Sequence, residues 1–123
     1  MQKGVENTMS IFSIYPPREE FVRRSYEVDI SLYENLEKLS NERYDASINK
    51  LVNTSLEHLL NTKKLDLYKR NKNEITVPRS FLIRKSLHKG MLNLKNEYNI
   101  SLNKIINIAL YNALVDEGLI KRN

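Results

Sequence analysis

Serine, asparagine and lysine recur as a set at a spacing suited to anion chemistry, first as Ser47, Asn49 and Lys50 and again as Ser101, Asn103 and Lys104. A serine just ahead of an apolar helical face is an N-cap whose hydroxyl accepts a backbone N–H. The first turn behind such a cap carries N–H groups with no partner inside the helix, and together with the helix dipole they attract anions. Lys50 and Lys104 stand in that turn; the residues alone leave open whether they meet an anion or only solvent. The likeness is longer than the set. Tyr44-Asp45-Ala46-Ser47-Ile48-Asn49-Lys50 returns as Tyr98-Asn99-Ile100-Ser101-Leu102-Asn103-Lys104, 54 residues later. It continues through the second asparagines, Asn53 and Asn107, to Leu56 and Leu110. A unit this short cannot bury its own apolar face, so each copy is expected to cover the other.

Other chemistries find little footing. With no cysteine there is neither a disulfide framework nor a thiolate metal site. His58 and His88 have no carboxylate or second histidine at ligand spacing, and three glycines make no phosphate-cradling loop. No serine stands in a nucleophile-elbow context, so neither catalysis nor a cofactor is expected. Lys and Arg total 20 against 15 Asp and Glu, a net charge of +5 that leans toward an anionic partner such as nucleic acid. The apolar stretch from Met9 to Tyr15 is too short and too broken by serine to span a membrane, and a soluble cytoplasmic protein is expected.

The elements that must hold the two sets follow from periodicity. Residues 1–22 form an arm closed by Pro16-Pro17, whose Ile11, Phe12, Ile14 and Tyr15 would pack on the body, add a strand or meet a protein partner. The first unit, 23–60, opens with Tyr26-Glu27-Val28-Asp29-Ile30, an alternation typical of a strand with one buried face. Ser31 with Glu34 has capping-box spacing, and Leu32, Leu36 and Leu39 mark an amphipathic helix ending near Arg43. Ser47 then starts a second helix with Leu51, Val52, Leu56 and Leu59 on one face. Residues 61–73 are a linker or a helix extension, 74–117 the second unit and 118–123 a tail.

In the second unit, Glu74-Ile75-Thr76-Val77 echoes Glu27-Val28-Asp29-Ile30 and predicts the strand, with Pro78 in the first turn of a lengthened helix carrying Ile83, Leu87, Met91, Leu94 and Tyr98. A competing register makes Phe81-Leu82-Ile83 the strand but sets Lys85 at the position of Ile30; the longer helix is preferred. With Val28, Ile30, Ile75 and Val77 inward, the outward residues are Ser25, Glu27 and Asp29, then Lys72, Glu74 and Thr76. Asn53 and Asn107 interrupt apolar helix faces, as a buried polar pair joining the copies or as edge positions.

Strand, helix, turn and a second helix beginning Ser-[Ile/Leu]-Asn-Lys-[Leu/Ile]-[Val/Ile] resembles the ribbon-helix-helix DNA-binding family, the Arc and MetJ class, over residues 24–60 and 73–115. The resemblance implies a mainly α fold with a short two-stranded antiparallel ribbon, the two tandem copies forming an intramolecular pseudo-dimer or a swapped dimer of two chains. It implies double-stranded DNA as partner, with the ribbon in the major groove, and allows a homodimer or higher assembly on tandem sites. Ser25, Glu27, Asp29, Lys72, Glu74 and Thr76 would then read bases. Arg23, Arg24, Arg70, Ser47, Asn49, Lys50, Ser101, Asn103 and Lys104 would meet phosphates. The implied role is a repressor or other transcriptional regulator, or a relaxosome or plasmid-partition accessory protein. One departure stands against it: Glu27, Asp29 and Glu74 make the reading face acidic, which phosphates repel, and a dimerisation module that has lost DNA is the alternative.

Overall fold

The computed structural model describes residues 19–44, 47–65 and 68–121, for 43 and 44 the backbone alone. The arm's Ile11, Phe12, Ile14 and Tyr15, the side chain of Tyr44 and the end of the tail lie outside the described residues. Strand β1 (Phe21–Asp29) runs straight into helix α1 (Ile30–Leu39), followed by a π-helical turn at Ser40–Tyr44 and helix α2 (Ile48–Thr62). Strand β2 (Thr76–Arg84), helix α3 (Lys85–Tyr98) and helix α4 (Leu102–Asp116) repeat the order. Among the described residues the architecture is four α-helices and one two-stranded antiparallel sheet whose strands belong to the same chain.

The second strand differs from the expectation. Its core residues are Phe81 and Ile83, and Pro78 lies inside it rather than at a helix start. Ile75, expected inward, is 62% exposed. Apolar alternation alone could not choose, because Ile75 and Val77 show the same period as Phe81 and Ile83. The objection to the other register was Lys85 at the position of Ile30. Both residues begin helices, Lys85 in the open and Ile30 only half-buried, so no core site is asked to hold an amine.

With this register the first helix of the second copy is not lengthened by an insertion. Tyr26 matches Phe81, Val28 matches Ile83, and Leu32, Leu36 and Leu39 match Leu87, Met91 and Leu94, all 55 residues apart and all buried. Beyond them the spacing becomes 54, as in Val52 with Ile106 and Leu56 with Leu110. One residue therefore disappears between the first helix and the second. The first copy holds its extra residue in the π turn, which widens a helix by one residue per turn. The second copy closes instead with Asn99 in the left-handed region (φ 55°), its N–H on the Lys95 carbonyl.

Burial explains the helices' order around the core. α1, α2 and α3 each bury one stripe, whereas α4 buries residues all round, from Ile105 through Tyr111 to Leu114, and packs on β1 and all three other helices. The segment before β2 covers its outer side: Tyr68 packs on Tyr111 with ring centroids 4.7 Å apart, and the Asn112 carboxamide donates to the Lys64 carbonyl. Gly90 allows α3 to approach α2, since a Cβ there would lie 2.7 Å from a Leu60 methyl.

The asparagines close the edges of the ribbon, and they do so crosswise. Asn107 of α4 accepts the Asp29 N–H at 2.8 Å and donates to the Glu27 carbonyl at 3.0 Å, while Asn103 accepts the Glu27 N–H. Asn53 of α2 accepts the Arg84 N–H at 2.8 Å and donates to the Leu82 carbonyl at 2.8 Å, while Asn49 accepts the Leu82 N–H. Each second helix thus holds the strand that belongs to the other copy. Asn53 and Asn107 are buried, 6% and 7% exposed, but they bond strand edges and not each other. Backbone groups that an isolated two-stranded ribbon would leave to water are satisfied by side chains. Because the Glu27 N–H points to this outer edge, its partner Pro78 also has its nitrogen outward and removes no ladder bond.

Candidate nucleic-acid interface

Opposite the core, the ribbon presents cross-strand pairs to solvent: Phe21 with Arg84, Arg23 with Leu82, Ser25 with Ser80, and Glu27 with Pro78. Their direction follows from the burial of Tyr26, Val28, Phe81 and Ile83 on the other face. Arg24 and Arg79 flank it. Each donates from Nη1 to the carbonyl just before it, Arg24 to Arg23 at 2.8 Å and Arg79 to Pro78 at 2.7 Å. The Arg79 guanidinium lies 4.7 Å from the Tyr33 ring centroid, and the matching position beside Arg24 is His88. Partial burial, and secondarily the Arg24 charge, hold that imidazole below its usual pKa.

Several expected site residues lie elsewhere. Asp29 does not face outward but is 1% exposed, taking hydrogen bonds from the Tyr68 hydroxyl and, at 2.7 Å, from Arg70 Nε. Burial of a carboxylate requires such partners, and they come from the segment preceding β2. Arg70, its side chain half exposed, is held by this ion pair, and its Nη2 also donates to the Glu74 carbonyl. Lys72 lies in the turn before β2, outside the ribbon. Glu74 caps α1, accepting the Ser31 N–H at 3.2 Å and the Ser31 hydroxyl at 2.6 Å. Glu19, 55 residues earlier, accepts the Ser86 N–H of α3, and hydrogen bonds from Ser86 hold its carboxyl below the usual value. Ser25 and Glu27 remain on the ribbon, and Thr76 donates its hydroxyl to Glu27 at 3.0 Å.

Burial, then the hydrogen bond to Asp29, raises the Tyr68 pKa well above its usual 10.0. A raised folded-state value favours the folded protein while the phenol is neutral, so this contribution is complete below about pH 10 and fades as pH climbs further. Stability to urea should therefore decline between about pH 9 and 11, and less steeply in Tyr68→Phe. Equal slopes for the two proteins would exclude Tyr68 as the source.

Ser47 and Ser101 are caps as expected, each accepting an N–H at 3.1 Å, from Lys50 and Lys104 respectively. Asn49 and Asn103 use their carbonyl oxygens on the strand edges, so they position the helix starts beside the ribbon. One groove there is lined by Phe21, Ser47, Lys50 and Arg84, the other by Arg24, Ser25, Lys95 and Ser101. Lys104 lines a third, next to Glu27 and Thr76.

Sequence reasoning missed Phe21, Pro78, Arg79, Ser80, Leu82 and Arg84. The signal was present, since Ser86-Leu87 matches Ser31-Leu32, and running that alignment backward pairs Ser80 with Ser25 and Arg79 with Arg24. The consequence for charge is large. Of three carboxylates expected on the outer face only Glu27 stays, with Arg23 and Arg84 beside it and Arg24 and Arg79 flanking. Arg84 lies 3.5 Å from Glu57, an exposed pair of small energetic weight. No group of three His, Asp or Glu able to hold a metal, and no helix long and apolar enough to cross a membrane, occurs among the described residues. No protein-family model, curated protein or solved structure matches this chain.

Proposed function

We propose that the chain is a sequence-specific double-stranded DNA-binding protein, two tandem ribbon-helix-helix units folded as an intramolecular pseudo-dimer and acting as a repressor or local regulator. The observation that carries this is the charge of the ribbon, Arg23 and Arg84 against Glu27 on its outer face and Arg24 and Arg79 flanking it, with a helix start on either side. A two-stranded ribbon fits the major groove, where outward side chains meet base edges. The capped N-termini of α2 and α4, with Lys50 and Lys104, suit the flanking phosphates. An accessory role at a conjugation or partition site would use the same contacts. The dimerisation-module alternative rests on an acidic face, and of its three carboxylates Glu27 alone lies there, with Asp29 buried and Glu74 off the ribbon.

Gel retention on DNA from around its own gene tests the proposal. With about six phosphate contacts, affinity should drop about a thousandfold between about 50 and 200 mM salt. Absence of any retained fragment at the lower salt rejects DNA binding.

A further inference from the structure

The copies match where phosphates would be gripped and differ where bases would be read. Residues 55 apart are Arg24 with Arg79, flanking the ribbon on both sides; 54 apart are Ser47 with Ser101 and Lys50 with Lys104 at the helix starts. On the outer face the same relation joins unlike groups. Arg23 corresponds to Pro78, Glu27 to Leu82 and Phe21 to Thr76; only Ser25 and Ser80, paired with each other at the centre, agree. One end of the ribbon therefore carries Phe21, Arg23, Leu82 and Arg84. The other carries Glu27, Thr76 and Pro78, with the next pair's Asp29 withdrawn into its bonds with Tyr68 and Arg70.

Resting on the DNA-binding reading above, we propose that this ribbon recognises a non-palindromic site in one fixed orientation, Arg23 specifying one half and Glu27 the other. An exposed arginine in the major groove pairs with guanine O6 and N7 through two hydrogen bonds, whereas a carboxylate accepts from cytosine N4. Proline and leucine at the corresponding positions can do neither. Arg23 and Glu27 stand four residues apart on one strand, about 13 Å, which spans roughly four base pairs. The matched grip on the backbone fits the near-twofold arrangement of phosphates about the groove, which every sequence shares. Specificity is carried by the unmatched layer above it.

The test is selection by the full chain from duplexes randomised over about one helical turn, room for a single molecule. The enriched sequence should lack twofold symmetry and carry guanine at one end. Arg23→Ala should lower affinity for it about tenfold to a hundredfold and relax preference at that end alone. Glu27→Gln should relax preference at the opposite end, with helical circular dichroism unchanged in both variants. A palindromic consensus would overturn the inference while leaving DNA binding intact, as would retention with no enriched sequence. Failure to retain any duplex at low salt would remove both proposals together.

Discussion

Asn107→Ala should cost the fold about 3 kcal/mol, because it strips partners from two backbone groups at a buried edge. The Asp29 N–H and the Glu27 carbonyl both end on this carboxamide, which also donates to the Asn103 carbonyl one turn back. Water reaches the position poorly, so the lost bonds are not simply exchanged for hydration. Asn53→Ala should cost about as much by the same accounting on Arg84 and Leu82. The two asparagines serve opposite edges of the ribbon, so their effects should add to about 6 kcal/mol. That is a large share of the 5–15 kcal/mol typical of a domain, and the double variant should be largely unfolded at room temperature. Leucine at either position should not rescue, since the unmet groups belong to the strand rather than to the asparagine. Urea unfolding followed by circular dichroism gives the comparison. Midpoints within error of the unchanged protein would show that the edges are satisfied some other way. Asn49→Ala and Asn103→Ala, each removing one bond nearer the surface, should cost about 1 kcal/mol.

Replacing Arg24 and Arg79 together with alanine should weaken retention on every DNA sequence by about a hundredfold, with little change in which sequence is preferred. Both guanidiniums flank the outer face of the ribbon, and each is steadied by the carbonyl before it. If each meets one phosphate, the slope of log affinity against log salt should fall by about two. Arg79 also lies over Tyr33, so about 1 kcal/mol of stability should go with it. Titration at three or four salt concentrations separates the two effects. A loss confined to one sequence would make these arginines base readers, and an unchanged salt slope would place them away from the DNA.

The apolar stripes and the Ser47 and Ser101 caps are legible because their signals are local, whereas the expected Ser31–Glu34 capping box gives way to Glu74 and the helix start expected at Pro78 falls at Lys85. Ser47 and Ser101 needed only the following turn, and the leucines of α1 needed only their own spacing. The second strand is ambiguous in the sequence because two neighbouring windows have the same alternation, and a glutamate-led echo competes with an alignment that runs unbroken back from Ser86. A one-residue widening of the π turn hid that alignment by splitting one repeat into two offsets. Asp29 was out of reach for a different reason: its burial depends on Tyr68 and Arg70, some forty residues away along the chain. The asparagines were noticed as anomalies on apolar faces, yet the strand edges that explain them exist only after β1 and β2 pair.

β1 and β2 are joined by one polypeptide, and this has a genetic meaning. In an assembly of identical subunits a single codon change alters both sides of the ribbon at once. Here a mutation at Arg23 leaves Pro78 untouched, and each half of the ribbon's outer face is inherited as a separate trait. Under the proposed DNA reading, one side can explore new targets while the other keeps the molecule on its old one. Drift of that kind would leave the asparagine clasps alike in both copies and the outer residues unlike, which is the pattern this chain displays.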